Sequence, residues 1–524
     1  MKREEMKIKE MDSEETKIEE VRFPTLIAGK RVEEAHEMHY VDYAGGLRIA
    51  MPVPTRAEIA GALDTDLDLL RKVPLREIID FFDAVARAFA TPGNYWREEA
   101  RRLGPRVTGY HPDIIDRDIN FLCGTALHFE LYDLLETDLG DAAVLDDWTR
   151  YKGTFYRAWP KGIVSHVMVG NVPLASFFTI VRSLLTKNIT IAKVSARDVV
   201  MPQSFVQCMY DLDPSHPVVK ALTAVYWKAE SEIENLVFDR SNVVTVWGQA
   251  QSIESVKSRL KYGTDIVEFG PKRSIAILLE GVKNWDTVGL MMAYDVINYD
   301  QEACFSTQEA YIVGDPQPLA KSLAKWLEQY ATNVAPTSRT SDAHAHVQQF
   351  RMEAMAEGWE VIAPSGTEWT IVITDGPTNL MQHPLARTIY LHPCTKVEQV
   401  YEMVDDNVQG VTVEPFEKVW EVAESLTRLG ADRIIPIGHS GWPTEGFIHD
   451  GFHPMQRMVR WSSIERRADQ GVRRFQTPPV SEAVNGPWAR GEVAWNDIHR
   501  RQGYRPYDER QEETSRLMAE DLDE

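Results

Sequence analysis

The sequence predicts an α/β protein built on mostly parallel sheets, and three observations carry that prediction. From Gly162 to Leu279, short apolar runs alternate with longer stretches of helical spacing, the order that yields parallel strands covered by helices. The alternation resumes beyond residue 304, so a second α/β unit follows the first. With 524 residues and 44% hydrophobic content, the chain exceeds what one core usually organises.

Taken in order, residues 1–45 read as an acidic N-terminal extension, in which Pro24–Lys30 leads into a strand or hairpin. Helical apolar spacing then covers residues 57–70, 75–89, 94–103 and 113–135, with Cys123 among apolar neighbours and read as core. Strands are expected at 163–169, 189–194, 243–247, 265–269 and 274–279, separated by helices at 174–185, 204–212 and 252–262. Asn171, Ser195, Gly248 and Glu268 fall at the carboxyl ends of those strands, where ligands bind in such sheets. An apolar helix-like run from Val288 to Ile297 leads to Cys304, and a strand at 309–313 follows it. Further elements are expected at 318–330 (helix), 369–374 and 388–391 (strands), and 397–404 and 417–429 (helices), the last closed by Gly430. Residues 438–454, rich in Gly, His and Pro, read as a long irregular loop, and 456–524 as a C-terminal arm with an acidic tail.

Composition excludes several classes. A formal net charge of -22 argues against a general nucleic-acid binder, which needs clustered cations. Four widely spaced cysteines without a CxxC pair support neither a disulfide framework nor a zinc site, so a reducing compartment and no metal are expected. The N-terminus is charged and no apolar stretch approaches the roughly 20 residues that span a bilayer. A cytoplasmic protein without a membrane span is the expectation.

Tyr299–Gln308 is the stretch around which chemistry can be built, because Cys304 lies in a polar, small-residue junction between two apolar elements. The alternative is an inert buried thiol, the commoner fate of a single Cys. Neither GxGxxG nor GxxxxGK[ST] occurs after any strand. What does occur, in order, is Gly170-Asn171-Val172-Pro173, Leu184-Leu185-Thr186-Lys187-Asn188, Lys193-Val194-Ser195, Trp247-Gly248, Glu268-Phe269-Gly270-Pro271-Lys272, the Cys304 segment and His449-Asp450-Gly451. This series resembles the landmarks of the aldehyde dehydrogenase superfamily. More closely, over about residues 160–460, it resembles the acyl-CoA reductases of bacterial bioluminescence, the LuxC type.

The resemblance implies an aldehyde dehydrogenase-like fold: a Rossmann-like cofactor-binding α/β domain (46–270) with a small β oligomerisation segment near 140–160, and a catalytic α/β domain (271–455). A homo-oligomer is expected. It also implies reduction of an acyl-CoA, or of another acyl thioester delivered by a protein partner, to the aldehyde through an acyl-Cys304 thioester. Asn171 matches the oxyanion-hole amide, or else caps the helix beginning near Pro173. Glu268 matches the general base, or is a surface carboxylate at a strand end. Lys193 and Ser195 match the positions that hold the adenosine ribose; Ser195 in place of a carboxylate, with Lys193 and Arg197 as cations, favours NADPH over NADH. The alternative for both cations is simple exposure. Gly248, Gln249 and Ser252 match the pyrophosphate turn, with Phe269 and Gly270 adjoining the cofactor. The Glu-x-Phe motif of oxidising enzymes is missing near His383–Arg387. His439, His449 and His453 can shape the substrate entrance. Asp300 and Glu302 beside Cys304 are expected to raise its pKa. An oxidising aldehyde dehydrogenase and an idle scaffold subunit are the competing readings.

Overall fold

The computed structural model describes residues 18–151, 154–337, 341–378, 380, 382–444 and 447–465. The described residues before Trp148 and those from Ala158 to Trp461 form one compact unit; residues 148–151, 154–157 and 462–465 belong to a second.

The larger unit carries two seven-stranded sheets. In the first, the order is Asp265–Phe269, Val243–Trp247, Ile163–Val167, Ile189–Lys193, Leu222–Val225, Thr25–Ile27, Lys30–Val32. The first five are parallel, and Thr25–Ile27 with Lys30–Val32 add an antiparallel hairpin to the edge. The strand order reverses beside Ile163–Val167, the switch point at which such sheets open a crevice. Both neighbouring strands end in glycine-containing turns there, at Gly170 and Gly248.

The second sheet runs Glu360–Ile362, Thr370–Ile373, Thr388–Cys394, Thr307–Val313, Arg273–Leu278, Val408–Glu414, Arg433–Pro436, all parallel except the first. Its central strands are apolar on both faces: Ala276 and Leu278 pack with the helix Trp285–Ile297, while Ile275 and Ile277 pack with Val411, Val422 and Leu426. That is why these strands read as continuous apolar runs in the sequence.

Two irregularities interrupt this sheet. Arg273 pairs with Val408 but Ser274 with Gly410, so Gln409 is an extra residue. Ser274 pairs with Thr307 but Ile275 with Glu309, which makes Gln308 a second one. Bulges of this kind re-aim side chains next to functional sites.

In the second unit, Thr149–Tyr151 pairs antiparallel with residues 154–156. The described residues of this unit include 148–151 and 154–157 of the 140–160 segment that the family resemblance assigned to oligomerisation, and 462–465 of the expected C-terminal arm; the arm and acidic tail beyond 465 lie outside the described residues. The expected N-terminal extension is not an appendage over its described part. Residues 19–52 form five strands, two in the first sheet, and Leu26 and Phe23 are buried in its core. Short strands there are coupled by burial of a few apolar side chains, which charge-rich composition concealed. The expected helix over 113–135 is two helices, Pro112–Thr125 and His128–Leu139. A helix at Ser341–Ala356 and strands at Leu222–Val225, Val408–Glu414 and Arg433–Pro436 were not anticipated.

Gly410 sits where the bulge brings strands together: a Cβ there would lie 2.9 Å from Ser274 Oγ. Gly410→Ala is expected to destabilise the protein by about 1–3 kcal/mol through overpacking, read as a lowered midpoint in chemical denaturation.

Candidate active site

Cys304 follows a backbone segment held in an unusual shape. Tyr299, Asp300 and Gln301 have φ of 49°, 49° and 68°, the left-handed region that costs a non-glycine residue of the order of 1 kcal/mol or more. Packed against them, Leu385, Ala386 and Arg387 have φ of 55°, 57° and 59°. The two segments fasten each other. Ala386 N–H donates to Asp300 O at 3.0 Å, and Arg387 Nε to Asp300 Oδ1 at 2.6 Å. Gln301 Nε2 donates to the carbonyls of Thr307 and Thr388 at 2.8 and 2.6 Å. The Tyr299 hydroxyl lies 2.8 and 2.9 Å from the two oxygens of buried Asp118. Ser274 Oγ then donates to Cys304 O at 2.8 Å.

Cys304 is the one cysteine of four that is not buried, and it lines a cavity of about 540 Å³ between the two large sheets. Its sulfur accepts from Gln409 Nε2 at 3.1 Å, and the same nitrogen donates to Asp450 Oδ1 at 2.7 Å. Desolvation pushes the thiol up to about 11, with the nearby Asp450 charge adding to the rise, while Gln409 and Arg433 act the other way. Burial likewise raises the Asp450 carboxyl to about 6, against the Gln409 hydrogen bond and the Lys272 charge. The expected effect of Asp300 and Glu302 therefore has a different source. Asp300 is committed to Arg387, and Glu302 accepts from Arg197 and from the Tyr110 hydroxyl, so the opposing charge at sulfur is that of Asp450.

Asn171 lines the same cavity and is not a helix cap: the cap position belongs to Val172, with no side-chain bond. One N–H of the Asn171 amide donates to Glu302 O at 2.7 Å, which ties it to the Cys304 segment, and its oxygen is buried without a partner. Glu268 is not brought to the cavity. Strand alternation turns its neighbour Phe269 inward and directs the carboxylate to Lys257 at 3.0 Å on the helix Ala250–Lys257.

Of the two cations assigned to a 2′-phosphate, Arg197 lines the cavity and Lys193 does not, and each is paired with a carboxylate. Lys193 pairs with buried Glu234 at 2.7 Å, which also accepts from Arg259, and Arg197 pairs with Glu302. Ser195, Gly248, Gln249, Phe269 and Gly270 do line the cavity; Ser252 does not, and sits behind Gly248. His449 lines the cavity with neither ring nitrogen hydrogen-bonded and Nε2 4.0 Å from Asp450 Oδ1, His453 bonds Asp138 at 3.1 Å, and His439 is exposed. Burial and the charges of Arg182, Arg433 and Lys272 keep His449 neutral, well below its usual range.

Sequence reasoning missed Gln409 and Arg433, and quoted Trp247 and Gln308 within motifs without giving either a role. The glutamines lie in bulges that no periodicity announces, whereas Trp247, ending a clear strand, was open to notice. Trp247 stacks on Phe269 at 3.8 Å between ring centroids and carries a buried, unpartnered Nε1–H into the cavity wall. At Gly170, a Cβ would sit 2.6 Å from Arg197 Cβ and 2.7 Å from Ser195 Oγ, so only glycine lets the turn close. Gly170, Ser195, Trp247, Gly248 and Gln249 form a wall with backbone and donor groups that fits a dinucleotide. Phe121, Leu174, Phe178 and Phe305 supply an apolar side. Among the described residues no His, Cys, Asp and Glu group could hold a metal, and no helix is long and apolar enough to cross a membrane.

Two α/β sheets meeting at a cysteine-lined cleft define the aldehyde dehydrogenase fold, and solved structures agree. The chain is similar to aldehyde dehydrogenase 21 from Physcomitrella patens (TM-score 0.68, 13% identity, 85% of this chain and 98% of that one). It is likewise similar to an NADP-dependent glyceraldehyde-3-phosphate dehydrogenase from Bacillus halodurans complexed with NADP (TM-score 0.65, 13%, covering 85% and 100%). A Mycobacterium tuberculosis aldehyde dehydrogenase complexed with NAD+ gives TM-score 0.66 at 14%, covering 86% and 99%. Within that fold the chain belongs to the acyl-CoA reductase (LuxC) family, whose model matches residues 70–461, and it is an oxidoreductase. It is 30% identical to the long-chain acyl-protein thioester reductases of Aliivibrio fischeri and Photorhabdus luminescens, in each case over 80% of this chain and 88% of the relative.

A thiol raised to about 11 is mostly protonated at neutral pH, so its alkylation by iodoacetamide in the free enzyme is expected to keep rising through pH 9–10 instead of levelling near the ordinary thiol value of about 8.5. The rate is followed by peptide mapping of Cys304.

Proposed function

We propose that this enzyme reduces a long-chain fatty acyl thioester, carried on a partner protein or on CoA, to the aldehyde, through a covalent acyl-Cys304 and with NADPH as the reductant. The observation that carries the reading is the convergence of Cys304, Asn171, the dinucleotide-fitting wall and an aromatic, apolar side on one cavity. The relatives' names, for an acyl-protein thioester, favour a protein-borne donor over free acyl-CoA.

In this mechanism Cys304 Sγ, as thiolate, attacks the thioester carbonyl carbon; the new C–S bond forms and the bond to the departing thiol breaks. The amide N–H of Asn171 not committed to Glu302 stabilises the carbonyl oxygen as it gains charge. A nicotinamide cofactor held along Gly170, Ser195, Trp247, Gly248 and Gln249 would supply the hydride that the acyl carbon accepts. Cys304 then leaves as thiolate as the aldehyde is released. Ser195, a hydroxyl where a carboxylate would repel a 2′-phosphate, supports NADPH; Lys193 and Arg197 no longer add to that preference, being held by Glu234 and Glu302. The oxidising reading loses support, since Glu268 is drawn to Lys257 and away from any water at Cys304. A homo-oligomer and an acyl-transferring protein partner are part of the proposal.

Incubation with an acyl-protein thioester or acyl-CoA, without reductant, should release the donor thiol and leave an acyl mass on the Cys304 peptide. Cys304→Ala should abolish both, and lower aldehyde formation by about a thousandfold or more. Absence of the acyl mass with either donor rejects the reading. Asn171→Ala is expected to cost about 10²–10³ in kcat, and NADPH should give the higher kcat/KM than NADH.

A further inference from the structure

Resting on Cys304 as the nucleophile, the mechanism requires a thiol desolvated at the cavity wall to ionise, and the carboxylate assigned to help it points elsewhere. Three residues outside that mechanism converge on the sulfur. Gln409 is the extra residue of a bulge, and the Ser274 hydroxyl beside it is bonded to the Cys304 carbonyl at 2.8 Å, so its amide has little freedom. A primary amide nitrogen carries two hydrogens; here one meets Cys304 Sγ and the other Asp450 Oδ1, at 3.1 and 2.7 Å. Both groups are thereby fixed as acceptors, which for the sulfur favours the thiolate.

Arg433 begins the neighbouring strand and lines the same cavity. Among the described residues it has no carboxylate within ion-pair distance: adjacent Asp432 is taken by Lys272 at 2.5 Å. Its guanidinium instead lies 5.0 Å from the Phe447 ring centroid. The charges facing this group are few. Asp450 and Arg433 face the thiol; Lys272 and Asp432 face Asp450; Arg182, from the helix Pro173–Leu185, faces His449 with Lys272 and Arg433. Asp450 itself is held at φ 49° in a turn closed by reciprocal His449 and Phe452 backbone bonds of 3.2 Å.

We infer that Gln409, Arg433 and Asp450 are positioning residues that set the ionisation of Cys304: Gln409 and Arg433 hold the thiolate form, and Asp450 opposes it across the shared amide. Glu268, which the family pattern suggested, has no part in this. The site therefore ionises its nucleophile with a forked amide and a cation that, among the described residues, has no ion pair and feels the charge of neighbouring Asp432, and protonation of Asp450 releases the opposing charge.

The test is the pH profile of Cys304 alkylation by iodoacetamide in the substrate-free protein, mapped by peptide mass. Arg433→Met is expected to move the profile to higher pH and slow the reaction about tenfold at fixed pH, whereas Asp450→Asn should move it to lower pH and speed the reaction about tenfold. Arg433→Lys, which keeps the charge, should restore most of the Arg433→Met loss. Opposite shifts are the signature, because loosened packing would expose the thiol alike in both variants. Shifts of the same sign, or none, overturn the inference, and if Arg433→Met does not fold, Asp450→Asn and Gln409→Leu (expected shift upward) decide it. Alkylation needs no acyl donor, so failure of acyl loading in the wild-type protein would reject the proposed reaction without touching this result.

Discussion

The buried pair of Arg387 and Asp300 is the constraint on which the catalytic cleft depends. Both side chains are almost wholly withdrawn from water, and neither would be tolerated there alone, since an isolated buried charge costs several kcal/mol. Together they hold two left-handed stretches back to back, and the strain of six non-glycine residues at positive φ is over-determined by their mutual bonds. The consequence reaches four residues further: Cys304 is presented at the amino end of its strand by a segment that cannot relax into regular helix or strand.

Around that fixed point the two sheets divide the work. The first ends its switch-point strands in Gly170 and Gly248, where missing side chains make room. The second contributes Gln409 and Gln308 from bulges and Arg433 from an edge strand. Asn171 and Arg197, rooted in the first sheet, reach Glu302 on the Cys304 segment. Polar bonds, and not apolar packing alone, thus join the Asn171 side of the cleft to the Cys304 side.

Much of this was legible in the residues. The strand Val243–Trp247 and the helix ending at Gly430 stood out because burial and capping leave local signatures, and Cys304 with Asn171 came from an ordered series of motifs. What was hidden has a common physical character. Glu268 and Phe269 are neighbours in sequence but opposite in a strand, so spacing alone could not choose which one faces the cleft. Lys193 and Arg197 have the charge for a phosphate but meet Glu234 and Glu302 first, partners far along the chain. Asp300 lies four residues from Cys304 but has its charge paired with that of Arg387, whereas Asp450, distant in sequence, is the carboxylate whose charge faces the thiol. The N-terminal hairpin was concealed by charge, although its few apolar residues are enough to extend the sheet.

The bulge at Gln409 carries one further implication. A regular ladder would be reached by deleting a single residue, and the mended sheet would have better pairing with Arg273–Leu278. It would also withdraw the amide that faces the sulfur. At this position a regular ladder and an amide at the Cys304 sulfur exclude each other, so the irregularity in the sheet is the geometric condition for that contact.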